Sequence, residues 1–136
     1  MCSTFIDEAK KALSLAFKEV EEFRRDREFL RLRDACEKGW LAVVLVTDAL
    51  LTEFGFKKPE SYTERRTFLK ELEKKFPRAA ELDLRDRFGA RGYYLHTLGY
   101  HEGTLSEEEV VEELEKAKKY VEDIEAILKD LTSSPP

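Results

Sequence analysis

The chain has 136 residues, of which 42% are hydrophobic and 39% are charged, and its formal net charge is −5. These values predict one globular domain, exclude an intrinsically disordered chain and argue against a protein coated with nucleic acid. The longest apolar run, residues 40–46, is much shorter than the roughly 20 residues that span a bilayer, and the N-terminus lacks the features of a signal peptide. We therefore expect a cytoplasmic protein without a membrane partner.

Two features of the composition are unusual. The chain contains no Asn and no Gln, while Glu, Lys and Arg are abundant, which is typical of proteins from hyperthermophiles. The charge is also uneven, because residues 57–91 carry eleven basic and seven acidic side chains within an acidic protein. An anionic ligand would belong near this segment. The alternative is a solvated helix surface with ion pairs along each helix.

Two long helices are predicted in the first part of the chain. The first begins near Thr4, where Thr4 and Asp7 form a weak capping box, and its apolar residues recur at three- and four-residue steps as far as Phe23. Asp26 can cap the second helix, which is predicted over residues 28–53.

The second helix is predicted to be the buried centre of the fold. Residues 40–51 are apolar nearly all round, with Thr47 and Asp48 as the exceptions. Trp40 is interpreted as a core anchor. Asp48 is expected either to pair with a basic group on a neighbouring helix or to face a polar cleft.

Two helices are predicted in the middle of the chain. A short helix over 62–75 opens with the capping box Ser61–Glu64 and lies between two prolines. A longer helix over 79–99 follows, and it contains two glycines that weaken it.

The last predicted helix opens with the capping box Ser106–Glu109, and its apolar residues follow four- and three-residue steps as far as Leu131. That spacing is the seam of helix-bundle packing. We therefore predict an all-α, antiparallel bundle of four long helices and one short helix over residues 1–131, with a frayed tail over 132–136.

No metal or cofactor site is predicted. Cys2 and Cys36 fall far apart in an antiparallel hairpin and have no partners at metal-ligand spacing, so neither a disulfide nor a zinc site is expected. Cys36 is interpreted as a small core residue. A glycine-rich phosphate loop and a Gly-x-Ser-x-Gly elbow are both missing from the sequence.

Catalytic chemistry is indicated by one short segment, Arg91-Gly92-Tyr93-Tyr94-Leu95-His96. It places a permanent cation five residues before a group that titrates near neutrality. These groups can cleave RNA without a metal, because histidine can transfer the proton of the 2′-hydroxyl or of the leaving oxygen and arginine can stabilise charge on the phosphorane. Arg91 and His96 are therefore the candidate catalytic residues.

The spacing restricts how these two side chains can meet. Five residues of an ideal α-helix turn through about 500°, so the side chains of Arg91 and His96 would point about 140° apart. By the same reasoning His96 and His101 would not share a face. Either Gly92 permits a distortion, or the arginine and the histidine of two subunits meet across a two-fold axis.

Arg91 also interrupts an apolar stripe, where an arginine needs an anionic partner or a wet groove. The other members of the stripe are Leu84, Phe88, Leu95 and Leu98. We therefore predict a homodimer that uses this helix.

The Arg-x4-His spacing on the penultimate long helix of a small bundle resembles the HEPN (higher eukaryotes and prokaryotes nucleotide-binding) superfamily. Residues 37–40 and 95–103 are more similar still to a paralogous archaeal family of HEPN-like repeat proteins. The resemblance implies a HEPN-like fold. Its active members are metal-independent ribonucleases that work as dimers, and others are inactive partners of nucleotidyltransferases. Only Arg91 and His96 match the active motif.

One position departs from the active motif. The residue after the arginine is usually Asn, Asp or His, whereas this chain has Gly92. The leading hypothesis is a HEPN-like dimer concerned with RNA or nucleotides, as a metal-independent endoribonuclease. The alternative is a non-catalytic module that docks a protein partner, such as a nucleotidyltransferase. The enzyme should present both Arg91 and His96 to one accessible groove, whereas the module should bury Arg91 in an ion pair.

Overall fold

The computed structural model describes residues 2–133, with side chains over residues 4–131. Every regular element in this part of the chain is helical, which confirms the predicted all-α class. The elements are α1 Cys2–Asp26, α2 Leu30–Glu53, α3 Tyr62–Lys75, α4 Pro77–Glu81, α5 Leu84–Arg91, a π-helix over Gly92–Glu102, and α6 Glu107–Ser133. None of the described helices combines the length and the apolar character needed to cross a membrane.

α1 and α2 form an antiparallel hairpin around a turn at residues 27–29. Arg27 has a positive φ of 57°, and Asp26 accepts a hydrogen bond of 3.0 Å from the Glu28 N–H. Asp26 therefore shapes the turn, and α2 begins only at Leu30. α1 begins at Cys2, two residues before the predicted start near Thr4.

α2 lies at the centre of the core, and its two buried polar residues both have partners. The Thr47 hydroxyl donates to the Val43 carbonyl at 2.7 Å and lies 2.7 Å from the hydroxyl of buried Tyr120. Asp48 accepts two hydrogen bonds from Arg65 on α3, at 2.7 Å from Nε and 2.9 Å from Nη2. The predicted pairing of Asp48 with a basic group on a neighbouring helix is confirmed.

The single helix predicted over 79–99 is wrong, because this part of the chain folds in three pieces. α4 ends at Glu81, and α5 begins only after Asp83, whose φ of 52° is left-handed. From Gly92 the backbone adopts the i→i+5 hydrogen bonding of a π-helix. The predicted count of four long helices and one short helix fails for this reason.

α6 closes the core against α1, α2, α5 and the π-helix. Its predicted capping box is confirmed: Ser106 Oγ accepts from the Glu109 N–H at 3.2 Å, and Glu109 Oε1 accepts from the Ser106 N–H at 2.9 Å. The predicted apolar stripe is buried except for Leu131, which is 39% exposed. α6 continues to Ser133, two residues into the predicted tail, and residues 134–136 lie outside the described part of the chain.

Small residues bring α2 close to the π-helix. A Cβ atom at Gly99 would lie 2.5 Å from Cys36 Sγ, well inside the contact distance of about 3.5–4.0 Å between carbon atoms. Cys36 is fully buried and outside any disulfide, as expected of a core residue. Burial raises the pKa of its thiol to about 12.

Candidate functional site

The π-helix carries both histidines of the chain. Because its hydrogen bonds span five residues, side chains five apart become neighbours on one face. The ring centroids of His96 and His101 lie 4.6 Å apart. The prediction that these histidines do not share a face is therefore wrong, since it assumed 3.6 residues per turn. π-Helical segments are rare and frequently occur at functional sites.

An arginine from α2 holds the end of the π-helix. Arg33 Nε donates to the Tyr100 carbonyl at 2.6 Å, and its Nη2 donates to the His101 carbonyl at 2.5 Å. Carbonyls in the last turn of a helix otherwise lack a partner within the helix. Gly103 follows with a φ of 64°, the left-handed conformation common just past a helix end. His101 thus lies in the last turn of the π-helix.

His96 is paired with a carboxylate from α2. Its Nδ1 lies 2.8 Å from Glu37 Oε1, and each of the two side chains is 37% exposed. When Glu37 accepts the proton of Nδ1–H, Nε2 is left as the acceptor of the neutral ring. A carboxylate that orients a histidine in this way is the arrangement of many histidine general bases. His96 can therefore exchange a proton with a bound molecule through Nε2.

His96 also lines an open cavity of about 270 Å³ whose walls are mainly aromatic, which we call the aromatic cavity. Its lining residues are Trp40, Tyr62, Gly92, Tyr93, His96 and Thr97. The Trp40 ring centroid lies 6.2 Å from that of Tyr62 and 6.3 Å from that of His96. Trp40 also packs on buried Phe88 at 5.0 Å, so it is a core anchor as well as a cavity wall. Flat rings of this kind offer stacking faces to a planar ligand.

Gly92 is required by the packing of this cavity. A Cβ atom at position 92 would lie 2.9 Å from Cε2 of Tyr62 and 3.1 Å from Cη2 of Trp40. Any larger residue would have to displace these two rings. The absence of a polar side chain after Arg91 thus has a structural reason in this chain.

Arg91 does not line the aromatic cavity and is buried against α6 instead. Its side chain is 7% exposed, and its Nη2 lies 2.9 Å from Glu113 Oε1 on α6. This contact is an ion pair without good hydrogen-bond geometry, because neither Arg91 Nε nor Glu113 Oε1 has a hydrogen-bond partner among the described residues. Burial lowers the pKa of Arg91, and the charge of Glu113 opposes that shift. Glu113 is therefore the anionic partner that an arginine on the apolar stripe requires.

Arg91 lines a second cavity of about 420 Å³ between α5 and α6. Other cations line this cavity too, but carboxylates neutralise them. Arg87 and Lys119 each lie 2.9 Å from Asp123, and Lys116 lies 3.8 Å from Glu113. An anion that entered would have to compete with these ion pairs.

Metal-ligating side chains are scattered over the molecule. In the described part of the chain no group of three or more His, Cys, Asp or Glu side chains could hold a metal ion. The aromatic cavity offers proton transfer by His96 and stacking surfaces as its chemistry.

The comparison with known proteins identifies the family. A family model described as the archaeal PaREP1/PaREP8 family matches residues 5–121. The chain belongs to this family. No curated protein and no solved structure matches the chain. The region that the PaREP1/PaREP8 model matches includes His96, Glu37 and every residue that lines the aromatic cavity.

Two residues of the candidate site, Glu37 and Tyr62, have no role in the sequence-based prediction for this PaREP1/PaREP8 protein. Glu37 lies close to Trp40 in the segment 37–40 that resembles the archaeal family, and that segment was the available signal. Tyr62 reaches the cavity because α3 packs against α5. No local spacing in the sequence indicates that contact.

Proposed function

We propose that this PaREP1/PaREP8 protein is a HEPN-like domain that acts on RNA or nucleotides without a metal ion, with His96 as its proton-transfer residue. The observation that carries the proposal is the pair formed by His96 and Glu37 at the wall of the aromatic cavity. Stacking on an aromatic side chain contributes about 1–3 kcal/mol per base. A volume of about 270 Å³ is just below the usual range for ligand pockets, about 300–1,000 Å³, and suits a single base.

The proposed reaction is cleavage of RNA by its own 2′-hydroxyl. The 2′-oxygen attacks the neighbouring phosphorus, a new O2′–P bond forms, and the P–O5′ bond breaks to leave a 2′,3′-cyclic phosphate and a 5′-hydroxyl. His96 Nε2 takes the proton of the 2′-hydroxyl or returns a proton to the departing 5′-oxygen. Glu37 holds the ring through Nδ1 and stabilises the imidazolium that forms.

A second candidate function is a non-catalytic module that docks a protein partner, such as a nucleotidyltransferase. The burial of Arg91 against Glu113 favours it, because an arginine held in an ion pair cannot at the same time contact a phosphorane. The exposed rings of Tyr93 and Tyr94 on the π-helix would then belong to the docking surface. For both functions we propose a homodimer that uses this part of the chain.

A cleavage assay in EDTA separates the two candidates. We expect the wild-type protein to cleave a mixed-sequence RNA slowly and to leave 2′,3′-cyclic phosphate ends. His96→Ala should lose about 10²–10⁴ in rate, because it removes a positioned proton-transfer group. His101→Ala is the matched control on the same helix face, and its loss should be much smaller because Glu37 contacts His96.

The proposal of a ribonuclease is contradicted if the wild-type protein and His96→Ala degrade RNA at the same rate. The activity would then come from a contaminant, and the docking module would become the better explanation. Gly92→Asn, which would restore the polar residue of active HEPN enzymes, is not expected to help, because its side chain would collide with Tyr62 and Trp40.

A further inference from the structure

Arg66 on α3 is a partly buried arginine whose guanidinium is not fully paired within the described chain. Its Nε is buried and has no hydrogen-bond partner among the described residues. Among the described residues, no carboxylate lies within 4.0 Å of the Arg66 guanidinium, the distance that defines an ion pair. Its neighbour Arg65 is fully engaged by Asp48, and Arg91 has Glu113. Arg66 thus carries a positive charge that no described carboxylate pairs with at ion-pair distance.

The guanidinium of Arg66 lies near the hydroxyl of Tyr62, and Tyr62 lines the aromatic cavity. Arg66 Nε and the hydroxyl of Tyr62 each lie 3.4 Å from the point where a Cβ atom of Gly89 would stand, and Arg66 Cζ lies 3.6 Å from it. Tyr62 is a wall of the cavity, and Gly92, one helical turn after Gly89, forms part of its lining. A side chain at position 89 would contact both Arg66 and Tyr62, and Gly89 places none there.

We infer that Arg66 is the phosphate-binding residue of the nucleotide whose base stacks in the aromatic cavity. This inference rests on the proposed function and names the cation that the site requires. The planar guanidinium of Arg66, which is only partly buried, matches the oxygens of a phosphate in two-pronged fashion. Arg66 also belongs to residues 57–91, the positive part of an otherwise acidic chain.

Arg66 thereby takes the role that the sequence motif assigned to Arg91. Arg91 is held by Glu113 and lines the cavity between α5 and α6, whereas Arg66 lies near Gly89 and Tyr62. The ligand class is a nucleoside monophosphate or the equivalent unit of single-stranded RNA, with the base in the cavity and a phosphate on Arg66.

The test is a titration that follows the fluorescence of Trp40, the single tryptophan of the chain and a wall of the cavity. The probes are the four nucleosides and their 3′- and 5′-monophosphates. For the wild-type protein we expect at least one monophosphate to bind roughly tenfold or more tightly than its nucleoside, the gain of a charge-assisted hydrogen bond. Added salt should reduce this difference.

Arg66→Gln should remove the difference and bind the nucleoside as the wild-type protein does, which also shows that the variant is folded. Lys74→Gln, an equal change of charge two turns further along α3, is the matched control and should keep the difference. If the wild-type protein binds nucleosides and monophosphates equally, or if Arg66→Gln keeps the difference, the role of Arg66 is refuted while the base-binding cavity stands. If neither class of probe changes the fluorescence, the cavity proposal and the role of Arg66 both fail.

Discussion

The ion pair between Arg91 and Glu113 predicts a specific pattern in a double-mutant cycle of stability. The two side chains are 7% and 10% exposed, and the contact lacks good hydrogen-bond geometry. Removing one partner of a buried pair typically costs about 3–5 kcal/mol, because the other charge stays buried and unpaired. Lys116 Nζ lies 3.8 Å from Glu113 and can take over part of the pairing when Arg91 is replaced. We therefore expect a cost of about 3 kcal/mol for Arg91→Met and somewhat more for Glu113→Leu.

The double variant Arg91→Met with Glu113→Leu should be far more stable than the sum of the single changes. It contains no buried charge, and replacing a buried pair by apolar residues of similar volume is often neutral or stabilising by about 1–4 kcal/mol. Since we assign the phosphate to Arg66, we also expect the double variant to keep its nucleotide binding and its RNA cleavage.

Urea-induced unfolding followed by Trp40 fluorescence measures this cycle, because urea, unlike guanidinium chloride, does not screen charges. With an m-value of about 1–3 kcal/mol/M, a loss of 3 kcal/mol lowers the unfolding midpoint by roughly 1–3 M. A cost below about 1 kcal/mol for Arg91→Met, the value of an exposed pair, would refute a structural role. If the stability changes of the two single variants simply add in the double variant, the structural role is refuted as well. If the double variant is stable but does not cleave RNA, the result would indicate that Arg91 has a catalytic role.

Three further predictions test the packing and the charges of the fold. Gly99→Ala should cost about 1–3 kcal/mol in chemical denaturation, because its Cβ would lie 2.5 Å from Cys36 Sγ, whereas Gly89→Ala, with contacts of 3.4 Å or more, should be tolerated. Cys36 should resist iodoacetamide at pH 8 in the native protein and react in urea, as mass spectrometry will show, because the pKa of its thiol is about 12. Hydrogen bonds from the backbone and side chain of Ser106 lower the pKa of Glu109 below its ordinary 4.5. The ionised Glu109 side chain therefore contributes fully to the stability of the fold above pH 4.5, and this contribution is lost as the pH falls through the lower pKa of the folded state. Melting temperatures measured from pH 6 to pH 3 should therefore fall less steeply for Glu109→Gln.

The elements that the sequence predicts well are those with local signals at both ends. α3 spans Tyr62–Lys75, as predicted, because Ser61 Oγ accepts from the Glu64 N–H at 3.0 Å and Pro77 follows the helix. The start of α6 is likewise predicted by a capping box, and its buried stripe is predicted by the periodicity of its apolar residues. Capping and amphipathic periodicity act over one to a few turns, and a sequence pattern can therefore reveal them.

The π-helix could not be predicted because its causes are distant in sequence. It packs closely on α2 through Gly99 and Cys36, and its last carbonyls are held by Arg33 of α2, 67 and 68 residues earlier in the chain. No local preference in residues 92–102 indicates these contacts. Any estimate of side-chain direction from an ideal α-helix therefore fails for the candidate site, which includes His96 and its neighbour His101.

His96 lies five residues after Arg91 and five residues before His101. Of these two residues, His101 contacts His96, whereas Arg91 pairs with Glu113. The difference arises at Gly92, where the π-helix begins. Arg91 is the last residue of α5 and is buried against Glu113 of α6, whereas both histidines follow the wider repeat of the π-helix. The spacing of the motif is therefore insufficient to decide which cation serves His96. The decisive property is whether a carboxylate already neutralises the arginine, and by that criterion Arg66 is available and Arg91 is engaged.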